Sequence, residues 1–168
     1  MRTGRIQHAA EADGWCWFNS AGAQTDMSKR AVRKLMAETM ETGKHTDDLR
    51  AWLGGYGSGS MSKEFTRELT ARARRNKSAP FPCGPDHYGG QIESKTFALV
   101  TGNAVFVLTP GHETGLKFSP KAGTPRSVPI SVASMGPRGR GDAQVTDEDI
   151  ILIYNGTNHY NSLITVRE

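Results

Sequence analysis

The apolar residues of this chain change their spacing half-way along, and that change restricts the fold more than any other feature of the sequence. In the first half they recur at helical intervals. Val32, Leu35, Met36, Thr39 and Met40 follow the 3.6-residue period, with Ser28 at the N-cap position and Gly43 where the run stops. Residues 16–23 open a short helix before it. Residues 46–53 read as another, stopped by Gly54 and Gly55, with a flexible turn at 57–60. A third runs over 62–76 with Phe65, Leu69 and Ala73 on one face. In the second half, 91–99 reads as a last helix with Ile92, Thr96 and Leu99 inward. After it come apolar runs at 104–108 and 150–154 that are too short for helices and rich in β-branched residues. Asn155 and Gly156 signal a tight hairpin, and 160–166 returns as the partner strand. Residues 1–12 read as an irregular lead-in. Prolines and glycines break up 77–90, and four prolines and six glycines make 111–145 a long excursion with an edge strand at 128–132. Helices first and strands after is an α+β order: a helical first half packed on a small, largely antiparallel sheet.

The 168 residues suffice for one core, so a single domain over 1–168 is expected. Hydrophobic residues make up 36% and the mean hydropathy is −0.52, as in a soluble chain with sizeable loops. No run approaches the ~18 apolar residues of a membrane span, and the N-terminus lacks the apolar run of a signal peptide. A formal charge of +4 and a pI near 9.2 are only mildly basic. Arg72, Arg74, Arg75 and Lys77 read as a solvated helix end, so neither a nucleic-acid nor a membrane partner is expected. Asp147, Glu148 and Asp149 read likewise as a solvated turn. Cys16 and Cys83 are the only cysteines. They are too few for a disulfide framework or a zinc pattern, and they suit a reducing, cytoplasmic setting. No metal or organic cofactor is implied, and the chain is expected to act as a monomer.

The chemistry lies at the two ends. Asp13-Gly14-Trp15-Cys16-Trp17-Phe18 places a thiol after a tight turn and at the start of a helix, where backbone amides and the helix dipole favour a thiolate. The same turn can aim amides at one point, as an oxyanion hole requires. At the other end, Asn158-His159-Tyr160-Asn161-Ser162-Leu163 follows a buried strand. Side chains at i and i+2 of a strand share a face, so Asn161 lies beside His159 and can accept from its ring N–H. Cys16, His159 and Asn161 then supply a nucleophile, a base and an orienting group. Taken singly, a cysteine such as Cys16 is more often a small buried hydrophobe, and a histidine such as His159 more often a satisfied hairpin residue. His8, His45, His87 and His112 lack such a partner and read as surface residues, and Cys83 reads as structural.

These segments resemble the ovarian-tumour (OTU) family of papain-like cysteine proteases. The stretch around Cys16 is similar to the family's Asp-Gly-Asn-Cys-Leu-Phe block. Tyr88-Gly89-Gly90-Gln91-Ile92-Glu93 is similar to its Trp-Gly-Gly-x-x-Glu block, and His159-Tyr160-Asn161 after 151–154 is similar to its terminal block. The order matches and the three blocks span nearly the whole chain. The resemblance implies a papain-like OTU fold and an isopeptidase that removes ubiquitin or a ubiquitin-like modifier. By position it makes Cys16 the nucleophile, His159 the general base, Asn161 the orienting residue and Asp13 a second supporting acid. Glu93 falls in a structural block. Trp15 replaces a small polar residue and Tyr88 a tryptophan. Gly14, Trp15 and Tyr160 are expected around the oxyanion hole and cleft, with Trp15 and Tyr160 as its walls. A papain-like protease cutting a polyprotein or host protein, and a non-catalytic ubiquitin-binding module, are the alternatives. Compact members of the family imply a viral or bacterial effector working in host cytoplasm.

Overall fold

The computed structural model describes residues 3–10, 12–42, 45, 49, 60–80, 83–84, 88–121, 126–131, 145–146 and 148–167. The expected helix at 46–53 (Leu49 apart), the turn at 57–59, His87, Asp147 and the side chain of Phe65 fall outside these residues. Strand β1 spans Thr3–His8. Helices α1 (Cys16–Thr25), α2 (Lys29–Thr42), α3 (Ser60–Ser78) and α4 (Gln91–Thr101) follow. Then come β2 (Val105–Leu108), β3 (Gly115–Phe118), β4 (Arg126–Val128), β5 (Ile150–Tyr154) and β6 (Tyr160–Arg167). The described strands form a 6-stranded sheet in the order β1-β6-β5-β2-β3-β4. Only β2 and β5 pair in parallel; the other neighbours are antiparallel. The architecture is the α+β arrangement the sequence implies.

The structure departs from the sequence reading at several places. Residues 3–8 are no irregular lead-in but a strand along β6, from Thr3 opposite Arg167 to His8 opposite Ser162. The excursion at 111–145 contains β3 as well as an edge strand, and that edge strand begins at Arg126 rather than at 128. Tyr154 pairs with Tyr160, so the β5–β6 connection is the loop 155–159 and not a two-residue turn.

Strand β5 explains why its sequence is continuously apolar. Ile150 and Leu152 face a core shared with Trp17, Phe18, Met36 and Phe97 of the helical layer. Ile151 and Ile153 face the opposite side, against Phe106, Leu108, Val128 and Ile130. Both faces are covered, which removes the polar alternation of a half-exposed strand. On α2, Ser28 is the N-cap the sequence suggests: its Oγ accepts from the Ala31 amide at 3.1 Å.

Helix α1 is tied to this central strand by an amide that imitates a neighbouring strand. Gln24 Oε1 accepts from the Ile151 amide at 2.8 Å, and Gln24 Nε2 donates to the Ile151 carbonyl at 2.9 Å. Ile151 lies one residue before the β5–β6 ladder begins at Leu152. Gln24 therefore satisfies two backbone groups inside the protein and fixes the helix that begins at Cys16. We expect Gln24→Ala to lower the free energy of unfolding by roughly 2–4 kcal/mol, since each orphaned buried group costs ~1–3 kcal/mol. Urea denaturation measures this, and a change below about 0.5 kcal/mol would show that α1 is held by other contacts.

Candidate active site

The nucleophile segment begins with an Asx turn. Asp13 Oδ1 accepts from the Trp15 amide at 2.8 Å, and Gly14 sits at φ +84°, a conformation that favours glycine. Burial works to raise the Asp13 carboxyl, but hydrogen bonds from Lys29 Nζ (2.8 Å) and from the Trp15 amide outweigh it and hold it below its usual 3.8. Cys83 clasps the turn from outside: its amide donates to the Asp13 carbonyl at 3.0 Å and its thiol to the Gly14 carbonyl at 3.5 Å. A Cβ on Gly14 would lie 2.2 Å from the Cys83 carbonyl oxygen, so this clasp needs glycine there. The structural reading of Cys83 acquires a definite role.

Cys16 is the first residue of α1 and is 5% exposed. Burial pushes its thiol above the ordinary 9.0, and the Asp13 carboxylate adds to this. Amide hydrogen bonds, first from Tyr160 and then from the start of the helix, work the other way. The Tyr160 amide donates to Sγ at 3.4 Å, and Sγ lies 3.9 Å from the Asn158 carbonyl oxygen. The thiol thus touches the backbone on both sides of His159.

The loop carrying His159 is built by Asn155. Its Oδ1 accepts from the amides of Thr157, Asn158 and His159 at 2.9, 2.9 and 3.1 Å, and its own amide donates to the His159 carbonyl at 3.0 Å. Tyr154 closes the loop by donating to the Thr157 carbonyl at 2.7 Å. Sequence reasoning took Asn155 as half of a hairpin turn and missed this. The signal was available, because an asparagine side chain can cap several following amides in place of a backbone carbonyl.

His159 Nε2 lies 3.0 Å from Asn161 Oδ1, and the Ala10 amide donates to the same oxygen at 3.0 Å. The Ala10 bond identifies that atom as the acceptor, so Nε2 carries the hydrogen and Nδ1 is left as the basic nitrogen. Ala10 follows β1, so the strand missed in the sequence helps to fix the histidine.

Cys16 opens into a cleft of about 270 Å³ lined by Tyr88, Gly89, Gly90, Gln91, Tyr154, Thr157, Asn158 and Tyr160. Tyr154 and Tyr160 stack at 4.6 Å, and burial, with Tyr154 and Cys16 nearby, pushes the Tyr160 phenol up, so it is a neutral wall. Trp15 is not the second wall. It is 4% exposed and turned away from the cleft: its Nε1 donates to the Pro80 carbonyl at 2.8 Å and the Arg33 guanidinium lies 4.4 Å from its ring centre. A large aromatic before the nucleophile packs outward because the Asx turn directs it toward α2. Gly89 and Gly90 take the expected place of Trp15. A Cβ on Gly89 would come within 2.9 Å of the Trp17 ring.

Two charged groups also differ from their sequence reading. Arg72 is not part of a solvated helix end but forms a two-pronged ion pair with Glu93. Asp149 is buried, its carboxylate accepting from the amides of Ala104 at 3.2 Å and Thr146 at 2.9 Å. Among the described residues no His/Cys/Asp/Glu group of three or more could hold a metal ion, and no helix is long and apolar enough to cross a membrane.

Comparison with solved structures settles the architecture. An OTU deubiquitinase from Wolbachia pipientis wMel superposes with a TM-score of 0.60 over 96% of this chain and 88% of its own, at 15% identity. The fold is the ovarian-tumour fold. The viral OTU domain protease from Farallon virus matches with a TM-score of 0.58 at 13% identity, covering 99% of this chain and 86% of that one. An OTU domain solved in complex with ubiquitin matches with a TM-score of 0.51 at 16% identity, over 98% and 72%. No family model and no curated protein matches the sequence. Within this OTU fold, Cys16 stands at the head of the first helix and His159 where β6 begins.

The raised thiol has a testable consequence. The thiolate is the form that alkylates, and desolvation disfavours it, so without the imidazole its titration lies above the ordinary 9.0. We expect alkylation of Cys16 in His159→Ala by a small neutral reagent to keep rising through pH 9. A plateau below that pH would contradict the assigned burial.

Proposed function

We propose that this protein is a cysteine isopeptidase that removes ubiquitin or a ubiquitin-like modifier by thiolate attack on the modifier's C-terminal glycine carbonyl. The observation that carries the reading is a helix-start thiol in a glycine-lined cleft, held against the backbone on both sides of a histidine that Asn161 orients. The likeness of the fold to OTU deubiquitinases, one solved with ubiquitin, adds support.

In this reading His159 Nδ1 takes the Cys16 proton and the thiolate adds to the glycine carbonyl. The amide of Trp15 is already taken by Asp13 Oδ1, so the amides of Gly14 and Cys16 are the donors assigned to the oxyanion, each contributing on the order of 10²–10³ in rate. The tetrahedral intermediate collapses with cleavage of the C–N bond, and imidazolium gives its proton to the departing lysine amine. A water, deprotonated by His159, then hydrolyses the thioester and returns the thiol. Asn161 holds the ring and stabilises its charged form through the carbonyl oxygen. Asp13 acts through the turn: it orders Trp15 and Gly14 rather than meeting the histidine.

The cleft supports a substrate that is small beside the scissile bond. Gly89 and Gly90 bring backbone, not side chains, to its lining, beside the Tyr160 ring. Trp15 packs against Pro80 and Arg33 and is not among the residues lining the cleft. A free Cys16 and a free Cys83 suit a reducing cytoplasm.

Incubation with ubiquitin bearing a C-terminal electrophile tests the reading. We expect a covalent adduct on Cys16 by intact mass and none with Cys16→Ala. Rapid labelling of Cys16 by a small thiol reagent without a ubiquitin adduct would redirect the reading to another substrate, and an inert Cys16 would overturn it. For the active protein, His159→Ala should lower kcat by at least about 10³-fold; a loss below tenfold would remove His159 from the mechanism.

A further inference from the structure

The Gly89–Gly90 side of the cleft follows a proline-broken stretch, and among the described residues no strand pairs with it. The Gly90 carbonyl accepts from the Ser94 amide at 2.9 Å and the Ser94 hydroxyl at 3.1 Å, and two further contacts set the wall itself. Gly89 lies flat on the Trp17 ring, where no Cβ fits. The Gly90 amide donates to Glu93 Oε1 at 2.8 Å, the returning half of a capping box at the start of α4. Glu93 is 0% exposed, so its charge must be matched inside the protein. Arg72 matches it from α3: Nε donates to Oε2 and Nη2 to Oε1. The same guanidinium covers Gly90, with Nη2 3.5 Å from where a Gly90 Cβ would be. Burial works against the charge of Arg72, and the Glu93 carboxylate outweighs it.

We infer that Arg72 is a positioning residue for substrate: through Glu93 it holds the Gly90 amide, and so the glycine wall of the cleft, at the spacing a peptide tail requires. Without Arg72 the buried carboxylate loses its two-pronged partner, and admitting water to it by opening the first turn of α4 loosens its grip on the Gly90 amide. The chemistry at Cys16 is untouched, so the effect falls on binding. A lysine cannot reproduce the two-pronged contact. A neutral amide at position 93 can still accept from Gly90 and needs no cation beside it. Arg72→Met combined with Glu93→Gln therefore separates the hold on Gly90 from the stability of the ion pair.

The inference about binding rests on the isopeptidase reading, but the wall can be measured without it. Hydrogen exchange at the Gly90 amide is followed in the full chain for Arg72→Met, Arg72→Lys and Arg72→Met/Glu93→Gln, with KM and kcat for a ubiquitin C-terminal amide and the rate of Cys16 labelling by a small thiol reagent. We expect Arg72→Met to speed exchange at Gly90 by about tenfold or more. KM should rise roughly five- to tenfold, with kcat and thiol labelling within about twofold of the parent. Arg72→Lys should lie between, and the double variant should return Gly90 exchange toward that of the parent. Unchanged Gly90 exchange in Arg72→Met overturns the inference. So does a loss confined to kcat, or a double variant in which Gly90 exchanges as fast as in Arg72→Met. If the parent fails to turn over ubiquitin, the isopeptidase reading falls, and Gly90 exchange still decides the role of Arg72.

Discussion

Helix α1 is fastened along the β5–β6 pair by polar contacts, and the geometry of the site depends on that fastening. Gln24 completes the backbone pairing of Ile151, Ser20 Oγ donates to the Tyr160 carbonyl at 3.0 Å, and the Tyr160 amide reaches Cys16 Sγ. These bonds span the length of the helix and run from its C-terminal turn to its first residue. They join the first helix to the last two strands, so the Cys16 thiol lies against the backbone on both sides of His159, far away in sequence. The apolar core of Trp17, Phe18 and Phe97 beneath supplies cohesion, but apolar contacts alone do not fix a helix in rotation or translation. The directed bonds do.

The site also shows competing demands on a buried nucleophile. Burying Cys16 raises its thiol, and the nearby Asp13 carboxylate pushes the same way. Asp13 is retained because it organises the turn that ends at Trp15, and Lys29 compensates its charge. Glu93 repeats the pattern: a charged cap with no access to water, tolerable because Arg72 crosses from another helix to meet it. Such pairs add little net stability relative to apolar substitutes, and their value is that they set positions.

Much of this was legible in the sequence where the signal is local. The helical periods of α2, α3 and α4 and the apolar β5 stand out because tertiary packing reinforces them. Strand alternation suggests the contact between His159 and Asn161, although His159 is the last loop residue before β6 and the Ala10 amide also holds the Asn161 oxygen. What was illegible depends on partners far along the chain. Strand β1 has no apolar run, and what identifies it is its pairing with β6 at the far end of the chain. Strand β3 is short and begins at Gly115 within a proline-rich stretch. Trp15 looked like a cleft wall because nothing local says which way the Asx turn directs its ring. Arg72 looked like one of several solvated cations until Glu93, on another helix, was placed beside it. The loop 155–159 was mistaken for a two-residue turn because an Asn-Gly pair is a strong hairpin signal. The side chain of Asn155, capping three amides, overrides that signal.

The central claim is that Cys16, His159 and Asn161 work as one unit. Hydrolysis of a ubiquitin C-terminal amide by His159→Ala, Asn161→Ala and the double variant, measured as kcat/KM beside the parent, tests it most directly. If Asn161 acts only by holding and stabilising the imidazole, its removal lowers the rate of the parent and leaves that of His159→Ala unchanged. Losses that multiply in the double variant would show Asn161 acting independently of His159 and contradict the account.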